Sequence, residues 1–189
     1  MILTWEEDIE HELVAGRLFC GCGGRLAPWS YARKRLVRQR AGPDVAVRPR
    51  RARCTSCRRT HVLLASSSLP RRRDATEVVG TALHLAATGH GHRAIAEQLD
   101  RPPSTVRNWL RRARGLAEEL HDVGVRKLAV IDPMFGPIVP RATPLARAVE
   151  VLGLVAAAIV RRLGSTGRSP WCLINMATAG LLVGSPSTG

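Results

Sequence analysis

Four cysteines fall in two close pairs, Cys20-Gly-Cys22 and Cys54-Thr-Ser-Cys57, with thirty-one residues between the pairs. Paired thiolates on two tight turns are the donor set of a tetrahedral zinc ion, and Gly21, Gly23 and Gly24 supply the backbone freedom needed to curl around a metal. The prediction is a structural Zn2+ held by Cys20, Cys22, Cys54 and Cys57, because four sulfurs leave no position for water or substrate. Metal binding would also give an Arg-rich, core-poor segment stability that burial cannot supply. The first pair has one intervening residue where the usual knuckle has two, so His61 stands as an alternative to Cys20. Free buried or redox-paired cysteines are the competing reading. Cys172, alone, reads as a small buried apolar residue. His90 and His92 flank Gly91 at a turn and read as solvent-facing.

A second constellation lies at 104–112, Ser-Thr-Val-Arg-Asn-Trp-Leu-Arg-Arg. On a helix that turns Val106, Leu110 and Ala113 inward, Thr105, Arg107, Asn108, Arg111 and Arg112 face outward, with Ser104 as N-cap and Trp109 at the edge. Arg can bond a guanine at two points, Asn an adenine, and a Thr methyl can touch thymine. A solvated helix face is the bland alternative. Just before the first helix of this region, Arg71, Arg72 and Arg73 are placed to enter a minor groove or grip phosphate; a solvated linker would look the same. Arg33, Lys34, Arg35, Arg48, Arg50, Arg51, Arg53, Arg58 and Arg59 are expected on phosphates, adding affinity without sequence choice.

These residues need elements to hold them. Residues 1–19 read as an acidic amphipathic lead, with Ile2, Trp5, Ile9 and Leu13 at helical spacing. Residues 20–69 carry Gly, Pro, Arg and alternating apolar positions such as Val45 and Val47, then 62–64, which suits short strands joined by turns. Asp74-Ala-Thr-Glu77 has the form of a capping box opening a helix with Val78, Val79, Ala82, Leu85 and Ala86 inward, ended by Gly89-His-Gly91. A second helix, 92 to about 99, buries Ile95, Ala96 and Leu99 and stops at Pro102-Pro103. The third is expected to run from Ser104 through Ala117 and Leu120 to Gly124. Three short helices with a tight turn before the third are a helix-turn-helix layout. After a Pro-rich linker, Thr143-Pro144 opens a helix with Leu145, Val149, Leu152, Ala156, Ile159 and Leu163 as its stripe, closed by Arg161, Arg162 and Gly164. Ser169-Pro170 opens the last, from Trp171 to about Leu182.

The chain of 189 residues carries 29 basic against 15 acidic side chains, a formal charge of +14. An anionic polymer is the expected partner. A GC-rich codon usage would also favour Arg over the two lysines, Lys34 and Lys127, yet it leaves the clustering unexplained, since sixteen of the basic residues precede Ala75. The acidic opening, with Glu6, Glu7, Asp8, Glu10 and Glu12, does not have the form of a signal peptide, and the uncharged stretch 169–189, broken by Gly180, Gly184 and Pro186, is too short to span a bilayer. The expectation is a cytoplasmic, nucleoid-associated protein with no membrane segment.

The chain resembles actinobacterial zinc-ribbon plus helix-turn-helix proteins of unassigned role, themselves similar to the DNA-binding front end of insertion-sequence transposases. The motifs are Cys22-Gly-Gly-Arg-Leu26 with Trp29, Pro49-Arg-Arg-Ala-Arg-Cys54, Cys57-Arg-Arg-Thr-His-Val-Leu-Leu64 and the 104–112 segment, together covering roughly 18 to 115. The resemblance implies a zinc ribbon and a homeodomain-like triad, and assigns the metal role to Cys22, Cys54 and Cys57 ahead of Cys20.

The expected fold is therefore mainly α, with a small N-terminal β zinc ribbon and a homeodomain-like three-helix helix-turn-helix followed by C-terminal helices. Its segments are an acidic helical lead (1–19), a zinc-ribbon-like domain (20–69), the helix-turn-helix domain (70–124), a linker (125–143) and a C-terminal helical segment (144–189). The expected function is sequence-specific binding of double-stranded DNA, as a regulator or mobile-element accessory. A truncated or partner-dependent transposase or recombinase is the alternative. Metal-dependent strand transfer needs several gathered carboxylates, and beyond His121 only Asp122, Asp132 and Glu150 remain, so no enzyme is expected. The C-terminal helices either pair two copies into a homodimer or pack on the third helix. RNA binding is disfavoured by an aromatic content of 4%.

Overall fold

The computed structural model describes residues 2–4, 9–164 and 167–184, with the first three described by backbone alone. The chain divides into two compact units, Met1–Ala75 and Thr76–Gly189. No helix among the described residues is long and apolar enough to cross a membrane.

Among the described residues the first unit holds six strands and one helix: β1 (Ile2–Thr4), α1 (Ile9–Val14), β2 (Leu26–Tyr31), β3 (Arg35–Val37), β4 (Val45–Val47), β5 (Arg50–Cys54) and β6 (Thr60–Ala65). A four-stranded sheet runs β1-β6-β5-β2, and β3 and β4 pair separately as an antiparallel ribbon. The expected helical lead is corrected here. Ile2–Thr4 is a strand lying parallel to β6, with Ile2 opposite Leu63, and the helix is confined to Ile9–Val14; Trp5, Glu6, Glu7 and Asp8 lie outside the described residues. Ladder hydrogen bonds to an existing strand outweigh the weak helical spacing of so short a segment. The unit's core is small, formed by Leu13, Leu26, Ala52 and Leu63 with Cys20 and Cys54, and Ile9 and Leu18 pack against it.

The second unit contains α2 (Thr76–Ala87), α3 (His92–Gln98), α4 (Pro103–Gly115), α5 (Ala117–Ile131), α6 (Pro144–Leu163) and α7 (Pro170–Ala177), then one 3-10 turn, Leu181–Val183. Val78, Val79, Ala82 and Leu83 of α2, Ile95 and Ala96 of α3, and Val106, Leu110 and Ala113 of α4 are buried. Each such Leu, Ile or Val contributes about 1.5–3 kcal/mol on burial. The break between α3 and α4 is sharp. Leu99 caps α3, Asp100 takes a left-handed φ of 50°, and Pro103 opens α4 at its first position, where no amide is needed. Pro102 is therefore the N-cap, its carbonyl accepting from the Thr105 and Val106 amides at 2.9 and 3.2 Å, and Ser104 stands inside the first turn without the capping role its type suggested.

The third helix of the sequence reading is two helices. Leu116, at φ −107° and ψ 5°, ends α4 and opens α5, which continues to Ile131, across the first seven residues of the expected linker. Gly124 is buried within α5 and does not stop it. A Cβ there would run into the Val151 side chain of α6, so this glycine allows two helices to approach closely. Gly80 does the same for α2, where a Cβ would meet the Trp171 indole of α7.

Along α6, Leu145, Ala148, Val151, Leu152, Val155 and Ala158 are buried, a wider arc than the expected stripe, and Leu163 emerges 70% exposed at its end. The last helix stops at Ala177, ahead of the expected Leu182, because Ala179 and Gly180 adopt left-handed angles of 49° and 84°. Residues 185–189, with Pro186, lie outside the described ones.

Candidate metal centre and nucleic-acid interface

Cys20 and Cys22 sit on the turn entering β2, Cys54 ends β5, and Cys57 lies on the turn into β6. The sheet register sets Leu26 opposite Cys54, which places the two turns side by side. All four sulfurs lie within 4.8 Å of one another. Cys20 Sγ is 3.6 Å from Cys57 Sγ, and Cys22 Sγ is 3.5 Å from Cys54 Sγ. Tetrahedral zinc with sulfur at about 2.3 Å requires sulfur–sulfur edges of roughly 3.8 Å, close to the two short pairs, so the donor set is compatible with a metal ion.

The shortened first pair is accommodated by its glycines. In both turns the residue after the second cysteine is left-handed, Gly23 at φ 83° and Arg58 at φ 63°. The Cys20 amide donates to the Gly24 carbonyl at 2.8 Å, and a Cβ on Gly24 would lie 2.7 Å from Cys54 Sγ. Cys20 thus joins the cluster directly. His61, on β6 opposite Ala52, is not among the four clustered donors.

Backbone dipoles already favour thiolate at part of the cluster. The Gly24 amide, followed by the Cys57, Cys54 and Cys20 thiols, lowers Cys22 to about 6. At Cys54 burial pushes upward, but the Cys57 and Ser56 amides outweigh it and the net direction is down; the Cys57 amide lies 3.4 Å from this sulfur. For Cys57 the Arg59 amide pulls down, yet Cys22, burial and the other two thiols prevail and raise it to about 11. Shared protons on close sulfurs are what a divalent ion displaces on binding.

On α4, Ser104, Arg107 and Arg111 are exposed, Thr105, Asn108 and Arg112 are half-buried, and Val106, Trp109, Leu110 and Ala113 are buried. Trp109, at 2% exposure, belongs to the core and not to its edge. The Arg111 guanidinium donates from Nη2 to Asn108 Oδ1 at 2.9 Å, so the two side chains brace each other one turn apart. Arg114, missed in the sequence reading, is also exposed. The 107, 111, 114 spacing was the signal that it shares their ridge.

The basic triplet 71–73 is a bonded strap. Arg38 N donates to Arg73 O at 2.6 Å, Ala75 N to Arg38 O at 2.9 Å, and Arg35 Nη1 to Arg72 O at 3.3 Å. Buried Asp74 accepts from Arg38 Nη2 at 2.8 Å. Arg71 and Arg73 remain exposed, and Arg72 is half-buried. Of the arginines expected on phosphates, Arg50 is engaged by Glu10 at 2.9 Å, and burial holds Arg35 below its ordinary range. Arg33, Lys34, Arg48, Arg58 and Arg59 are exposed, and Arg51 and Arg53 are half-buried.

Residues 77–119, from the first turn of α2 into α5, match a family model described as a homeodomain-like domain. No curated protein and no solved structure matches the chain. The matched segment is a helix-turn-helix, an architecture that binds DNA through its last helix, and this supports DNA binding as the general property of the second unit.

Proposed function

We propose that the protein binds double-stranded DNA in a sequence-dependent way, as a regulator or an accessory of a mobile element, and does not alter the DNA chemically. The observation that carries this reading is the exposed ridge Ser104, Arg107 and Arg111 on a helix whose opposite side, Val106, Trp109, Leu110 and Ala113, is anchored in the core. Arg107 and the braced Arg111 meet base edges, Thr105, Asn108 and Arg112 flank them, and Arg71, Arg72 and Arg73 grip the phosphates. The cysteine cluster holds a structural zinc ion through Cys20, Cys22, Cys54 and Cys57, which fixes the sheet unit and takes no part in a reaction. Absence of strand-transfer chemistry fits the three acids beyond His121, which are drawn into separate pairs: Asp132 with Arg161 at 2.7 Å, Glu150 with Arg141 at 2.8 Å, and Asp122 beside His121 at 3.5 Å.

Selection of bound duplexes from random DNA by the zinc-loaded protein tests the reading. A defined motif should emerge; Arg107→Ala or Arg111→Ala should relax it at one position at a cost of about 1–3 kcal/mol. Arg72→Ala should weaken all sequences alike and reduce the salt dependence. Equal, sequence-blind losses from all three would refute groove reading.

A further inference from the structure

Besides Phe19, which is 54% exposed, the first unit holds two large aromatic side chains in the open on a single strand. Trp29 is 54% exposed and Tyr31 is 49% exposed, although the unit's own core is small enough to profit from burying either. Both stand on β2, which is paired with β5 alone and forms an end of the sheet. Trp29 occupies a bulge: Pro28 pairs with Ala52 and Ser30 with Arg51, leaving the tryptophan as the extra residue. A bulge re-aims a side chain, commonly at a functional surface.

Each ring already carries a cation. The Arg53 guanidinium carbon lies 4.8 Å from the Trp29 ring centroid, and those of Arg50 and Arg48 lie 4.5 and 5.2 Å from that of Tyr31. Arg50 is fixed in turn by Glu10, so its plane is held in place. Shielding by guanidinium alone would explain covered rings, but these remain about half open. Phosphate binding would explain the arginines and needs no aromatic group. The register sets Tyr31 opposite Arg50 and Ser30 opposite Arg51, and Arg50 and Arg53, three apart on β5, point to opposite faces, so the Tyr31–Arg50 and Trp29–Arg53 pairs flank the edge strand on its two faces. Each pair, in a segment whose acids between Cys20 and Ala75 are only Asp44 and Asp74, suits a partner that is both anionic and flat.

We infer that Trp29 with Arg53 on one face of β2, and Tyr31 with Arg50 and Arg48 on the other, are two stacking positions for the bases of an unpaired nucleic-acid strand that passes over this sheet edge. Bases stack on the open ring surfaces or the outer guanidinium planes, and nearby exposed Arg33, Lys34 and Arg58 take the backbone charge. The site belongs to the first unit and the α4 ridge to the second, and it does not depend on groove reading.

The test is binding of the zinc-loaded protein to single-stranded oligothymidylate, to oligouridylate and to a duplex. A Trp29→Leu/Tyr31→Leu variant with unchanged zinc content should lose about tenfold or more in affinity for a single strand while duplex affinity stays constant. Loss on oligothymidylate identifies unpaired DNA as the ligand, and loss confined to oligouridylate identifies RNA. An Arg107→Ala/Arg111→Ala variant should keep its single-strand affinity even where duplex preference is gone, which separates this site from the one on α4. As a check that needs no drastic change, tryptophan emission should be quenched by oligothymidylate in the parent protein, or by oligouridylate if RNA is the ligand, and the quench should disappear in Trp29→Phe. Unchanged single-strand affinity in the double variant, a parallel fall in duplex affinity, or a quench that survives Trp29→Phe overturns the inference.

Discussion

At the scale of single residues, types and spacing were informative wherever chemistry demands a particular side chain. The two cysteine pairs were legible because few other arrangements use thiols this way, and the outward set on α4 followed from helical period alone. Three features were not legible. That Cys20 and not His61 joins the cluster depends on how Gly23 and Gly24 curl the backbone; the Asn108–Arg111 brace depends on rotamers; and Trp109 is buried because its neighbours surround it. Removing a donor should be costly: Cys54→Ser is expected to lose bound zinc and lower the melting temperature, whereas full zinc content with an unchanged melting point would dismiss the ligation. The same cluster sets a pH response. Cys22 is held below its ordinary value, to about 6, so the stabilisation its thiolate brings is present above the ordinary thiol range and is lost as pH falls toward 6. Zinc binding should therefore weaken on acidification, because protons compete with the ion for all four thiolates, which a chromogenic chelator titrated against pH would record.

At the scale of elements, period and punctuation located the helices but misjudged what their glycines do. Gly124 reads as a stop in sequence, yet within α5 it admits Val151, and Gly80, unremarked in α2, admits Trp171. Sequence shows a missing side chain; only packing shows what fills the space. The consequence can be measured, because at an open helical site Gly→Ala stabilises by roughly 0.5–1 kcal/mol. Here the sign should reverse: Gly80→Ala and Gly124→Ala should each destabilise by about 1–3 kcal/mol through overpacking against a rigid ring and a β-branched side chain. Denaturant titration of the two variants, beside an open-site control such as Gly153→Ala, which has nothing within 4 Å, would check it. The break at Leu116 was hidden for a different reason, since the apolar positions Ala113, Ala117 and Leu120 keep a helical period across it.

At the scale of the whole molecule, the charge of +14 predicted an anionic partner and the two compact units emerged from folding. Their cores differ in kind. The sheet unit includes Cys20 and Cys54 in its hydrophobic cluster, while the helical unit is built from Leu, Val, Ile and Ala with Trp109. Chelation should accordingly abolish the tertiary signal of the first unit and leave most of the helical ellipticity intact; simultaneous loss of both would show that the units do not fold separately.

The strap that ties 72–75 to Arg35 and Arg38 carries this further. While the sheet unit is folded, its three guanidinium groups meet a duplex on backbone that is already ordered. Once that unit melts the strap becomes a loose tether, and fixing each residue costs about 1–2 kcal/mol at the moment of contact. Calorimetry of the metal-free protein should register the difference as a more unfavourable entropy of association, making the ion a distant contributor to affinity through order alone.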